Sequence, residues 1–210
     1  MQQRTLSGAV AFERIEWQQP EQPLPMAALS SDFEFDGSTL ENRFELRLDA
    51  PSLIAQGRAR TRLAPLESDI HWQTRPLALK QVEQLWNRYH PPAPPELTVT
   101  GGQLHLDGSA NWTQDGLALR LEPHIERLAA QWRAARIEGG EWKGLALMRR
   151  NGRLEHQGRL SIPLLDIGFP VETVEAVYDY RQAPQQPLSC ASSSSRPGCW
   201  AVTSMSIQLA

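Results

Sequence analysis

Between residues 30 and 180 the chain repeatedly places an apolar residue at every second position. Phe44, Leu46 and Leu48 alternate with Glu45, Arg47 and Asp49, and Leu117, Leu119 and Leu121 alternate with Ala118 and Arg120. Leu160, Ile162 and Leu164 alternate with Ser161 and Pro163; Leu104 and Leu106 flank His105; Leu145 and Leu147 flank Ala146. Side chains of a strand point to opposite faces with period two, so each run predicts a strand with one apolar and one wet face. Gly, Asp or Asn separates the runs, as in a chain of antiparallel hairpins. Residues 5–18 read as a strand pair, Leu6 to Phe12 and Arg14 to Gln18, followed by a connector containing Pro20, Pro23 and Pro25. Residues 27–35 and 41–49 form the clearest hairpin, turning at Asp36-Gly37-Ser38. Residues 53–63 and 66–73 continue the pattern.

Residues 77–89 break it. Val82, Leu85, Trp86 and Tyr89 fall at helical spacing, Pro76 suits a helix start, and the proline run at 91–95 stops it. Strands resume at Leu97. Residues 124–138 are ambiguous, because Ile125, Leu128, Ala129 and Trp132 also fit helical spacing and the Ala/Arg/Glu content favours helix. About ten strands with one substantial helix leave an ordinary two-layer α+β fold short of cover, while a closed sandwich or barrel stays open.

The composition is that of a globular chain. The 210 residues carry a net charge of −3, with 21% charged, and no basic cluster with interleaved aromatics points to nucleic acid. The basic residues are almost all Arg, which a GC-rich genome explains. No stretch has the ~20 apolar residues of a membrane-spanning helix, and the start lacks a signal peptide's apolar region. Either the product is untargeted or Met1 lies inside a longer gene. Cys190 and Cys199 are the two cysteines, so disulfides and thiolate metal sites are not expected before the tail.

Catalytic chemistry is sparse. His71, His90, His105, His124 and His156 are scattered without metal-ligand spacing, and His105, between two leucines, belongs on the wet face. The carboxylates alternate with apolar residues and read as a solvated face. Gly101-Gly102 and Gly139-Gly140 read as turns or bulges rather than phosphate loops. Trp17, Trp72, Trp112, Trp132 and Trp142 lie near predicted strand ends, where packing at edges and turns is the simpler role. An enzyme, a metal and a cofactor are not expected.

From Gln182 the chain changes character, with a Ser-rich stretch around Cys190 and Cys199. Read one base earlier, Cys199-Trp200-Ala201 yields Leu and then Gly, and the preceding serines can yield alternating Glu and Leu. The expectation is a frame change between about Gln182 and Ser189, or else a disordered tail, giving a unit at 1–181 and a tail at 182–210.

Two phrases stand out: Leu165-Asp166-Ile167-Gly168-Phe169-Pro170-Val171 followed by Val174-Glu175-Ala176, and the segment from Pro95 to Gly108 after the short helix. Both resemble phrases of the YdbH family of bacterial intermembrane phospholipid transport proteins, which is grouped with AsmA-like proteins. An older description of the family's C-terminal region is a dicarboxylate transport domain. The resemblance covers about residues 6–181 and favours strands at 124–138. It implies a long, curled antiparallel sheet forming an apolar groove in the periplasm. In the full-length proteins an inner-membrane helix anchors that sheet, which reaches towards the outer membrane and a small lipoprotein partner. This chain lacks the anchor and so reads as an internal fragment.

The resulting expectation is a mostly β, non-catalytic fragment with one short helix that carries phospholipid acyl chains. The groove lining is then Phe33, Phe35, Phe44, Leu46, Leu48, Leu104, Leu106, Leu117, Leu119, Leu121, Leu145, Leu147, Leu160, Ile162 and Leu164. Arg47, Asp49 and Arg120 would keep the outside wet. The alternative is a structural or adhesive envelope β-protein with a closed core; a carbohydrate-active protein would need a carboxylate pair or aromatic platform that the sequence does not show.

Overall fold

Hairpin signals between alternating runs build a meander. The computed structural model describes residues 5–15, 26–49, 52–89, 97–182 and 202–209. The strands are β1 (Leu6–Ile15), β2 (Ala27–Phe35), β3 (Thr39–Asp49), β4 (Ser52–Leu63), β5 (Leu66–Thr74) and β6 (Leu77–Ala78). Helix α1 (Leu79–Tyr89) follows, then β7 (Leu97–Thr113), β8 (Gly116–Trp132), β9 (Ala135–Met148), β10 (Leu154–Asp166), β11 (Pro170–Gln182) and β12 (Val202–Leu209). All share one sheet in chain order, with the two-residue β6 beside β7. The pairings are antiparallel, and β1 and β12 lie at opposite ends without pairing, so the sheet is open and not a barrel.

The turns obey local chemistry. Asp36 accepts from the backbone N–H of Ser38 at 2.8 Å and of Thr39 at 2.7 Å, and Gly37 takes φ +95°. Those bonds hold the Asp36 carboxyl below its usual range. Asp166 likewise accepts from Gly168 N–H at 3.0 Å, which starts the turn between β10 and β11.

Two elements differ from the sequence reading, and the ambiguous stretch at 124–138 is strand, as the resemblance implied. The first strand is one element, Leu6–Ile15, paired with β2; residues 16–18 lie outside the described residues. Residues 124–138 are strand on both sides of a turn at Arg133-Ala134, despite their helical spacing. Cross-strand pairing overrides local propensity there, and the misfit is absorbed by register irregularities in β7 and β8, with Arg127 at φ +52° and Gly139 at φ +69°. The tail contains a strand, β12, on β11. The frame change expected near 182–189 falls outside the described residues beyond Gln182.

Helix α1 covers a notch. β5 ends at Thr74, whereas β7 continues past the last β5 partner, Asp107, towards Leu97. β6 and then α1 pack against that exposed stretch, with Leu77 and Leu79 buried. Gly102, at φ +118°, gives α1 its close seat, since a Cβ there would stand 2.7 Å from Leu79 Cδ1. Beyond this, the substantial contacts run only between adjacent strands. Among the described residues no second layer covers the sheet, and no large side chain is completely withdrawn from solvent.

Candidate functional site

Antiparallel partners point to the same side, so register assigns each side chain a face. One row runs Ser31, Phe44, Gly57, Trp72, Gly108, Leu121, Ala146, His156 and Tyr180, from β2 to β11. The next runs Phe33, Asn42, Ala59, Ile70, Ala110, Leu119, Met148 and Leu154. At ~4.8 Å per strand, the first row is about 38 Å long. Phe35, Leu46, Leu48, Leu104, Leu106, Leu117, Leu160, Ile162 and Leu164 share this face. They form a largely apolar field crossing the sheet, with Ser31 and Asn42 within it and Glu138 and Glu172 beside Leu164 at one margin. Most of it is half-buried, with Trp112 and Leu117 as much as 50% and 42% exposed.

Leu145 and Leu147 do not belong to it. Leu147 pairs with Arg120 and Glu155, and Leu145 with Gln157, on the polar face. Ala146 between them takes the apolar position. The alternation of that run is genuine, but its phase is set by β8 and β10.

Glycine and aromatic partners pave the apolar face. The Phe44 ring lies over Gly57, the Trp72 indole over Gly108, and the Tyr178 ring over Gly158, each on the neighbouring strand. Phe33 covers Gly8, and Trp142 covers Gly144 from within its own strand. A Cβ would stand 2.5 Å from Phe44 Cζ at Gly57 and 2.6 Å from the Tyr178 ring at Gly158. Aromatics can therefore lie flat where glycine faces them. Trp72, two residues before the end of β5, and Trp142, in the middle of β9, are thus both tiles within the face.

The other face is charged. Arg120 bonds Glu122 at 2.6 Å, Arg159 bonds Glu175 at 2.6 Å, and Arg149 bonds Glu155 at 3.0 Å. Glu141 lies 2.7 Å from Lys143 and 2.9 Å from His124, which together hold its carboxyl below its usual range. His105 sits on this side, as its position between leucines predicts, with Nε2 3.9 Å from Glu126. A trough of about 830 Å³ crosses this face, walled by Asp32, Arg43, Glu45, Arg58, Arg120 and Glu122. Its walls mix both signs of charge. The space between long charged side chains is thus separate from the apolar field, which is an open surface rather than a cavity.

A family model described as intermembrane phospholipid transport protein YdbH matches residues 2–194. The chain belongs to the YdbH-like family. No curated protein and no solved structure matches it. In this YdbH-like chain no described helix is long and apolar enough to cross a membrane, and the described residues contain no cluster of metal-ligating side chains. The aromatic–glycine tiling escaped the sequence reading because each pair joins residues from different strands. A glycine centred in a strand, such as Gly57, Gly108 or Gly158, was its one visible sign.

Proposed function

We propose that this YdbH-like chain carries phospholipids between membranes by holding their acyl chains against the apolar face of its sheet. The observation behind this reading is an apolar field about 38 Å long over which no second layer is packed among the described residues. A face of that size calls for a partner, and the family description names phospholipid transport. Two acyl chains carry ~30 methylenes at ~0.8 kcal/mol each, so passage through water costs upwards of ~20 kcal/mol. A continuous apolar surface removes most of that barrier without making or breaking a bond, and no catalytic group is assigned. The flat aromatic tiles leave few deep holes to trap a chain, which suits sliding over tight binding. The rival closed core needs a barrel or a second sheet, and among the described residues the open strand order supplies neither.

In this reading the chain is part of a periplasmic bridge whose full-length form is anchored in the inner membrane. A small outer-membrane lipoprotein would be its partner. The test is transfer of a fluorescent phospholipid between donor and acceptor vesicles with the purified chain added. The reading expects faster transfer and saturable lipid binding. No binding by a folded chain would overturn it.

A further inference from the structure

A cluster of aromatic and polar rings interrupts the apolar field between β9 and β11. His156 lies on that face of β10, and Tyr178 Oη stands 3.4 Å from its Nδ1 and 3.2 Å from its Nε2. The two rings meet edge to face with centroids 5.1 Å apart, and Trp142 meets the imidazole at 6.2 Å. Burial raises the pKa of the Tyr178 hydroxyl. A phenol hydroxyl and an imidazole thus meet beside an indole on a largely apolar stretch of the face.

The surroundings give this cluster no counter-charge. On its own face His156 is bordered by Ala146 and Trp142 from β9, Leu154 and Gly158 from β10, and Tyr178 and Tyr180 from β11. None is a carboxylate. The nearest acidic residues in sequence, Glu155 and Asp179, point to the polar face, where Glu155 pairs with Arg149 and Asp179 with Arg181. A packing role alone needs neither the imidazole nor the hydroxyl, because a flat ring over Gly158 would suffice. A hydroxyl and an imidazole with no carboxylate bordering them, set in a field that holds acyl chains, suit the phosphate oxygens of the same lipid.

We infer that His156 and Tyr178 form a headgroup station on the lipid path, hydrogen-bonding the phosphodiester of a glycerophospholipid. The inference rests on the acyl-chain reading above. The amphipathic rings of Trp142 and Tyr180 border the station, where headgroup and tails part company.

The test compares a tail-labelled phosphatidylglycerol with a diacylglycerol bearing the same labelled tails, using the 210-residue chain. His156→Gln and Tyr178→Phe should each weaken phosphatidylglycerol binding about tenfold and leave diacylglycerol binding unchanged. Tyr178→Phe keeps the ring over Gly158, so it reads the hydroxyl without disturbing the tile. Millimolar inorganic phosphate should not displace the lipid; displacement would reassign the site to a soluble phosphate and overturn the headgroup station. Equal weakening for both lipids, or no change for either, would overturn it while leaving the acyl-chain reading intact. Failure of the wild-type chain to bind either lipid would overturn that reading and the station with it.

Discussion

Leu119 and Ala118 offer the sharpest comparison, because they are sequence neighbours on opposite faces of β8. Leu119 sits in the apolar row between Ala110 and Met148. Ala118 pairs with Asn111 on the polar face, and lies near Arg149, Arg150 and Arg153. Leu119→Asp therefore places a carboxylate on the proposed acyl-chain path, whereas Ala118→Asp places the same group beside arginines. A carboxylate covered completely by hydrocarbon takes up a proton instead. At pH 7, from an unperturbed pKa near 3.9, that costs about 3 units at 1.36 kcal/mol each, or ~4 kcal/mol. Leu119 is only half-buried and the open face lets water reach part of the group, so about half of that is expected, ~2 kcal/mol, or roughly thirtyfold in affinity. Folding should suffer little in either variant, because the free chain leaves both carboxylates hydrated. Binding of a fluorescent phospholipid, with thermal unfolding as control, reads the difference. Leu119→Asp should weaken binding roughly thirtyfold and Ala118→Asp less than twofold. Equal effects at the two positions, or unaltered binding in Leu119→Asp, would refute the assignment of the apolar face as the lipid path.

Three further outcomes follow from the same geometry. Gly108→Val should destabilise the chain by about 2 kcal/mol in urea unfolding, because the Trp72 indole already fills the space of a Cβ and must leave the sheet. Arg43 and Arg58 face one another across β3 and β4, with His71 next in line. Arg58→Glu should thus raise stability by about 0.5 kcal/mol, a thermal shift of 1–2 °C. The carboxyls of Glu122, Glu141 and Glu155 are held low, by Arg120, by Lys143 and His124, and by Arg149 respectively. Their contribution is therefore fully present above the ordinary carboxylate range and lost as pH falls through it, so the urea midpoint should be flat from pH 6 to 8 and drop below about pH 4. Glu141→Gln should make that drop shallower.

Much of this architecture was legible in the chain, and the failures have a common cause. Strict alternation fixed the strands, and Asp36-Gly37-Ser38 marked a turn whose hydrogen bonds are local. Pro76 and the prolines at 91–95 bracketed a helix, found at Leu79–Tyr89. Phase is not local. Leu145 and Leu147 look like any other apolar alternates, yet their partners Arg120, Glu155 and Gln157 put them on the charged side. The aromatic–glycine tiles are likewise products of register. Residues 124–138 have helical spacing, but long partners on both sides make them strand. The alternation of Met205, Ile207 and Leu209 was passed over because it follows the Ser-rich segment. The His156–Tyr178 pair could not be read at all without knowing that β10 and β11 meet residue for residue.

The most direct measurement is to photo-crosslink a phospholipid with a photoreactive tail to the folded chain and to locate the adducts by mass spectrometry. The account predicts adducts at apolar-face positions such as Leu106, Leu119 and Leu121, and none at Arg58, Leu145 or Leu147 on the other side. Adducts spread equally over both faces, or concentrated on the charged one, would contradict it.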